Sequence, residues 1–141
     1  MKILIICTGN SCRSQMAHGF LKSFDPDLEV YSAGIIPESV VNPFAIKVMN
    51  ESFIDISHHI PHHVKEYIHF DFDFLITVCD NAKEKCPVFE GNIKKSIHIG
   101  FDDPADAKGS DQEILNVYRQ IRDEIKNEMY IFFKQLTMNL S

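Results

Sequence analysis

Short apolar runs alternate with helix-patterned stretches along this chain, and that alternation restricts the folds open to it more than any other feature. Residues 2–6, KILII, form the continuous apolar run expected of a strand buried on both faces. FDFLITVC at 72–79 repeats it, and LEVYSAG at 28–34 and KSIHIGF at 95–101 add two more predicted strands. Between them, residues 14–24 place Met16, Ala17, Phe20, Leu21 and Phe24 on one helical stripe. Asn42-Pro43 opens a helix to about Ser52, with proline at its first position. Pro61 is expected to open a short helix over 61–68, and DNAKEKC at 80–86 another that Pro87 stops. Ser110 and Glu113 have the spacing of a capping box. They open a long helix that turns Ile114, Tyr118, Ile121, Ile125, Met129, Phe132, Phe133 and Leu136 inward. The pattern predicts an α/β fold, a single domain over residues 1–141 with a four-stranded parallel sheet and helices on both faces. In such a sheet, ligands bind beyond the carboxyl ends of the strands. Cys7, Cys79 and the Phe101-Asp102-Asp103 stretch follow directly on predicted strands, so they are expected to share one edge of the molecule.

Composition narrows what that edge does. The chain has 141 residues, one domain's worth, and is 45% hydrophobic, so a core forms without disulfide staples. Its 14 basic and 20 acidic residues leave a net charge of −6, which gives a nucleic-acid role no support. No apolar run approaches the ~20 residues of a membrane span. The ILII run at 3–6 is too short for a signal peptide, and a cytoplasmic location is the expectation. There, four cysteines point to catalysis, redox or metal chemistry before structural disulfides. The sequence contains no repeat, low-complexity segment or linker.

The loop joining the first strand to the first helix reads CTGNSCRS, from Cys7 to Ser14. A helix start leaves backbone N–H groups unpaired and carries a positive dipole end, so a loop there cradles a tetrahedral anion. Gly9 and Asn10 tolerate the left-handed backbone that lets successive amides converge. Arg13 supplies a two-pronged clamp for oxyanion oxygens. The same field is expected to lower the pKa of Cys7 and make it a thiolate nucleophile. Taken singly, Cys7 reads as a small buried residue, Gly9-Asn10 as a turn and Arg13 as a solvated helix-start residue. Their joint spacing at a strand-to-helix junction favours the anion site, formed by Thr8, Gly9, Asn10, Ser11, Cys12, Arg13 and Ser14. A nucleotide-binding P-loop is excluded because no Gly-Lys-Ser/Thr follows, and a dinucleotide fingerprint because Gly9 has no partner glycines.

The loop resembles the signature of the low-molecular-weight protein tyrosine phosphatases and their arsenate reductase relatives. FDDPA at 101–105 resembles the Asp-Pro loop that carries their general acid, and Asp103 is the matching residue. YSAG at 31–34 and NPFAI at 42–46 are also similar to family segments, so the likeness runs from Lys2 to about Phe133. VCDNAKEKC at 78–86 is similar to the thioredoxin-coupled arsenate reductases, which work through three cysteines. The resemblance implies that the Cys7 thiolate attacks arsenate held by the loop and Arg13, while Asp103 protonates the departing oxygen. Cys79 then attacks Cys7, and Cys86 takes the disulfide outward to thioredoxin. Ser14 is expected to hydrogen-bond the Cys7 sulfur, and Cys12, with no counterpart among the three cysteines, is read as structural or as a hazard for side reactions. Two turns of helix put Cys79 and Cys86 about 10 Å apart. A disulfide permits a Cα separation of about 7 Å, so the 80–86 helix must unwind for them to pair. No large apolar residue anchors that segment.

Three alternatives stand beside this reading. A tyrosine phosphatase working through a Cys7 phosphoenzyme needs only the loop and an acid, but such enzymes carry aromatic residues after the Asp-Pro pair. Here Ala105-Asp106-Ala107-Lys108-Gly109 follows. An anion-binding regulator without turnover leaves Asp103, Cys79 and Cys86 unexplained. SHHIPHH at 57–63 reads as a solvated loop and helix start in preference to a metal cluster. Some relatives hold potassium beside the loop through an asparagine, a serine and two carboxylates. Asn10 and Ser32 match, but His18 and His62 stand in the carboxylate places, and hard cations prefer oxygen. No metal, no cofactor and a monomer are the expectations.

Overall fold

The computed structural model describes residues 1–139. Four strands form one sheet: β1 (Lys2–Cys7), β2 (Glu29–Gly34), β3 (Phe72–Thr77) and β4 (Ile93–His98). All pair in parallel, in the order β2-β1-β3-β4. Ile3, Leu4, Ile5 and Ile6 of β1 are wholly buried, which is why this strand reads as an unbroken apolar run and sits in the middle. β4 is an edge strand, and its exposed Lys94 and Lys95 discourage pairing with another chain.

The helices are α1 (Arg13–Phe24), α2 (Pro43–Glu51), α3 (Asp80–Lys85) and α4 (Asp111–Asn139). α1 buries Met16, Ala17, Phe20 and Leu21 as its stripe predicts. Phe24, half-buried at its end, meets Phe133 and Tyr130 of α4. Asn42 caps α2 by accepting from the Phe44 and Ala45 amides, with Pro43 at the first helical position. Such a cap contributes about 1 kcal/mol. Ser110 and Glu113 make the reciprocal capping bonds at the start of α4, each 3.2 Å. Tyr118, Ile121, Ile125, Met129, Phe132 and Leu136 are buried on its inner face, joined by Leu115, whereas Ile114 and Phe133 are only half-buried. Arg119 and Arg122 reach from α4 to Glu51 and tie it to α2.

Two expectations fail locally. No helix spans 61–68. Only a 3-10 turn over Val64–Glu66 forms there, capped by His63 and Glu66. The chain before it spends its backbone on neighbours: the His62 carbonyl accepts from Gly34 at 2.8 Å and its amide donates to the Asn10 side chain at 2.9 Å. His63 thereby bridges in parallel to Gly34, an extended arrangement that a helix cannot share. The last strand is also shifted, to Ile93–His98 instead of 95–101. Ile99 and Phe101 still donate to Thr77 and Val78, but the regular ladder ends at His98.

Sheet order places β1 and β3 side by side, with β2 and β4 outside them. Chain direction of winding changes there, so a crevice opens beyond the carboxyl ends of β1 and β3. Cys7 ends β1 and Cys79 lies two residues beyond β3.

Candidate active site

Residues 7–14 leave β1 and enter α1 within a few ångströms of the Cys7 sulfur. The Asn10 amide donates to Cys7 Sγ at 3.2 Å, and Ser14 Oγ lies 2.9 Å from the same sulfur. Asn10 Nδ2 donates to Ser14 Oγ at 2.7 Å, orienting that hydroxyl. Asn10 alone in the loop has a left-handed backbone, φ 52°; Gly9, expected to share it, does not. Glycine at position 9 serves space instead, because a Cβ there would lie 3.0 Å from Cγ of Glu38. Gly34 serves space more strictly, since a Cβ would come within 2.6 Å of the Thr8 carbonyl.

The segment after β2 runs along the loop as a wall. Ile35, Ile36, Glu38 and Asn42 donate their amides to the carbonyls of Cys7, Thr8, Gly9 and Ser11. A second support comes from Gln15, wholly inside, whose Nε2 donates to the Asn10 carbonyl at 3.1 Å. His59 Nδ1 lies 2.8 Å from Gln15 Oε1. His59 through its side chain and His62 through its main-chain amide thus prop the loop, while Ser57, His58 and Ile60 of the same stretch are exposed. His18 bonds Ser32 Oγ at 3.0 Å, and burial first, then its histidine neighbours, hold its pKa down at about 3.

Cys7 is 2% exposed, and burial pushes its thiol up from the ordinary value, against the lowered pKa expected from the loop. The Ser14 hydroxyl, the Ser14 and Asn10 amides and the Arg13 charge all pull it down, but burial outweighs them. Part of the reason is where Arg13 points. Its guanidinium lies 3.4 Å from Asp103 Oδ2 and donates to the Phe101 carbonyl at 3.1 Å. Asp103 also accepts from the Ala105 amide, which sets Pro104 as the first residue of a 3-10 turn. Cys12 is buried against Tyr118, its sulfur 3.7 Å from the hydroxyl, and burial lifts its pKa to about 11. It is a structural thiol.

Cys79 meets the loop directly. Its sulfur lies 3.3 Å from Thr8 Oγ1, and Asn81 Nδ2 donates to the same hydroxyl at 3.1 Å. Cys79 also caps α3, accepting from the Ala82 amide at 3.4 Å. Cys86 caps the other end of that six-residue helix and is half-buried. It faces a different hollow, of about 520 Å³, among Leu75, Pro87, Phe89, Ile97 and His98. The structure therefore brings Cys7, Arg13, Asp103 and Cys79 together and leaves Cys86 one helix away. All four cysteines are free thiols. Glu38, Gln15, His59 and Asn81 were not foreseen, because each reaches the loop through tertiary contact and none carries a local motif.

The arrangement has close parallels among known proteins. Residues 2–141 match the family described as low molecular weight phosphotyrosine protein phosphatase. An arsenate reductase of Shouchella clausii is 47% identical over 128 residues, covering 87% of this chain and 88% of that protein. An arsenate reductase of Bacillus subtilis is 43% identical over 131 residues, 92% of this chain and 93% of the relative. Among solved structures, an arsenate reductase in the phosphate-binding state superposes with a TM-score of 0.79 at 29% identity, covering 95% and 97% of the two chains. An arginine phosphatase from Geobacillus stearothermophilus superposes with a TM-score of 0.76 at 25% identity, covering 98% and 94%.

Proposed function

The chain belongs to the low molecular weight phosphotyrosine protein phosphatase family, and from that premise we propose that it reduces arsenate to arsenite through Cys7, Cys79 and Cys86 and is recharged by thioredoxin. It is an enzyme of the arsenate reductase branch, to which relatives at 43–47% identity belong. The observation that carries the fuller reading is the contact of Cys79 with Thr8, which sets a second thiol against the Cys7 loop.

Arsenate enters the loop with its oxygens against the amides and the Arg13 fork. Burial holds the Cys7 proton on, so that proton passes to the entering oxyanion, a stronger base than an exposed carboxylate. The sulfur, steadied by Ser14 Oγ and the Asn10 amide, then bonds to arsenic. Asp103 gives a proton to the departing oxygen, which leaves as water. Cys79, as thiolate, attacks Cys7 Sγ; a sulfur–sulfur bond forms, the sulfur–arsenic bond breaks, and its electron pair reduces arsenic to the trivalent state. The Cys86 thiolate attacks Cys79, releases Cys7 and leaves a Cys79–Cys86 disulfide. Two thioredoxin thiols reduce that disulfide and become oxidised in turn. On this reading one chain supplies every protein group that the cycle needs before thioredoxin, and a monomer suffices.

Hydrolysis of aryl phosphates needs only Cys7, Arg13 and Asp103, and membership of a phosphotyrosine phosphatase family keeps that activity as the second reading. Arsenate-dependent oxidation of thioredoxin, measured beside hydrolysis of a small aryl phosphate, separates the two. Thioredoxin oxidation without appreciable hydrolysis is the expected outcome. Hydrolysis without thioredoxin oxidation would replace the reductase by a phosphatase.

A further inference from the structure

The pocket enclosed by the Cys7 loop is small, about 110 Å³, and two carboxylates face it. One is Asp103, already engaged by Arg13. The other is Glu38, on the wall segment after β2, with its amide fixed to the Gly9 carbonyl at 2.8 Å and its side chain lying over Gly9. Glu38 is exposed at the mouth, and among the described residues no cation pairs with it. Side-chain charge around the cavity is thus one guanidinium against two carboxylates. A fully ionised tetrahedral anion seated there would press an oxygen towards a carboxylate with no proton between them. An anion that carries a hydroxyl would turn it to Glu38 and gain a charge-assisted O–H···O bond instead.

We propose that Glu38 is a specificity-determining residue of this pocket, selecting tetrahedral oxyanions that bear a proton over those that are fully ionised or esterified. The proposal rests on the reading of the Cys7 loop as an oxyanion site and adds the chemical class it admits. Arsenate and phosphate keep at least one hydroxyl at neutral pH; sulfate keeps none, and an ester dianion has an alkyl or aryl group where the hydroxyl would be. A carboxylate at the mouth accepts a hydrogen bond from a ligand that carries a hydroxyl and faces a like charge in one that does not, which favours the former. The same selection favours the reductase chemistry, since free arsenate passes and phosphate esters are resisted.

The test is competition of inorganic phosphate and of sulfate against arsenate turnover, in the wild-type enzyme and in Glu38→Gln. Glutamine keeps the packing over Gly9 but presents an N–H donor. Phosphate is expected to compete better than sulfate in the wild type by about tenfold or more, and Glu38→Gln is expected to narrow that ratio by a similar factor, chiefly by improving sulfate. A phosphate-to-sulfate ratio unchanged by Glu38→Gln would overturn the role of Glu38. Failure of both anions to compete in the wild type would instead overturn the oxyanion reading of the loop, and this inference with it.

Discussion

The sulfur of Cys79 lies 3.3 Å from the hydroxyl of Thr8, the residue that follows Cys7. A thiol carried by one strand end thus touches the loop carried by its neighbour, while Cys86 stays at the far end of α3. Hydrolysis asks for no such contact; transfer of a disulfide out of the site does.

The cysteines are expected to separate by assay. Cys7→Ser replaces the proposed nucleophile by a hydroxyl, which yields its proton to a bound oxyanion far less readily than a thiol, and should abolish arsenate reduction and aryl phosphate hydrolysis together. Cys79→Ser should stop arsenate reduction while sparing any hydrolysis, and Cys86→Ser should allow one disulfide but no thioredoxin-driven turnover. Peptide mapping after arsenate treatment of the wild type should find Cys79 joined to Cys86. Full thioredoxin oxidation by both distal serine variants would remove the three-thiol route.

Arg13→Lys keeps the charge but loses the planar fork that reaches Asp103 and the Phe101 carbonyl. Turnover should fall on the order of 100-fold with the melting temperature nearly unchanged. Wild-type kinetics in this variant would show that a point charge suffices.

Asn10 joins three parts of the site through its side chain and its φ of 52°. Asn10→Ala leaves the His62 amide and Ser14 hydroxyl without their partner and forces alanine into a left-handed backbone. A loss of about 1–3 kcal/mol in urea unfolding is expected, along with most of the activity. Asn10→Gly relieves the backbone part alone, so it should recover stability more than turnover. Equal effects from both variants would mean that the left-handed backbone contributes nothing and that the side-chain bonds carry the whole effect.

Arg119 first, then Arg122, hold the Glu51 carboxyl down at about 2, below its ordinary 4.5. A carboxyl depressed by folding stabilises fully above its unfolded value, and that contribution fades as pH falls through the folded one. Glu51 is about one-third exposed, so solvent keeps the effect within about 1 kcal/mol. Glu51→Gln should therefore unfold at lower urea than wild type at pH 7, and the two midpoints should converge as pH falls from the unfolded value towards 2. A difference constant over that range would place its origin in packing.

Much of the site was legible because its parts are local. Cys7, Arg13 and Ser14 share one loop, and Asp103 announces itself before Pro104. The parallel sheet followed from the apolar runs, since strands buried on both faces read that way, whereas the order β2-β1-β3-β4 is seen only in the structure. What the sequence hid was set by tertiary competition. Residues 61–63 carry helix signals, yet they lie extended because Gly34 and Asn10 claim their backbone. Glu38 and His59 bear no motif and enter the site only because their segments pack along the loop. The Cys7 thiol is raised instead of lowered because spacing along a chain reports charge partners but not depth of burial.

The pairing of β1 with β3 has a consequence for timing. Ile6 pairs with Thr77, and the Val78 amide still donates to the Ile6 carbonyl at 3.0 Å, so the ladder runs up to the doorstep of both Cys7 and Cys79. Continued one step, this register sets Val78 level with Cys7 and leaves Cys79 beside Thr8. On the proposed route, the first sulfur-to-sulfur transfer needs Cys79 to leave Thr8 and turn to Cys7. The second must wait for six helical residues to come apart. In that proposed cycle a turn of one side chain precedes the opening of a helix, and solvent viscosity should slow the second transfer more than the first.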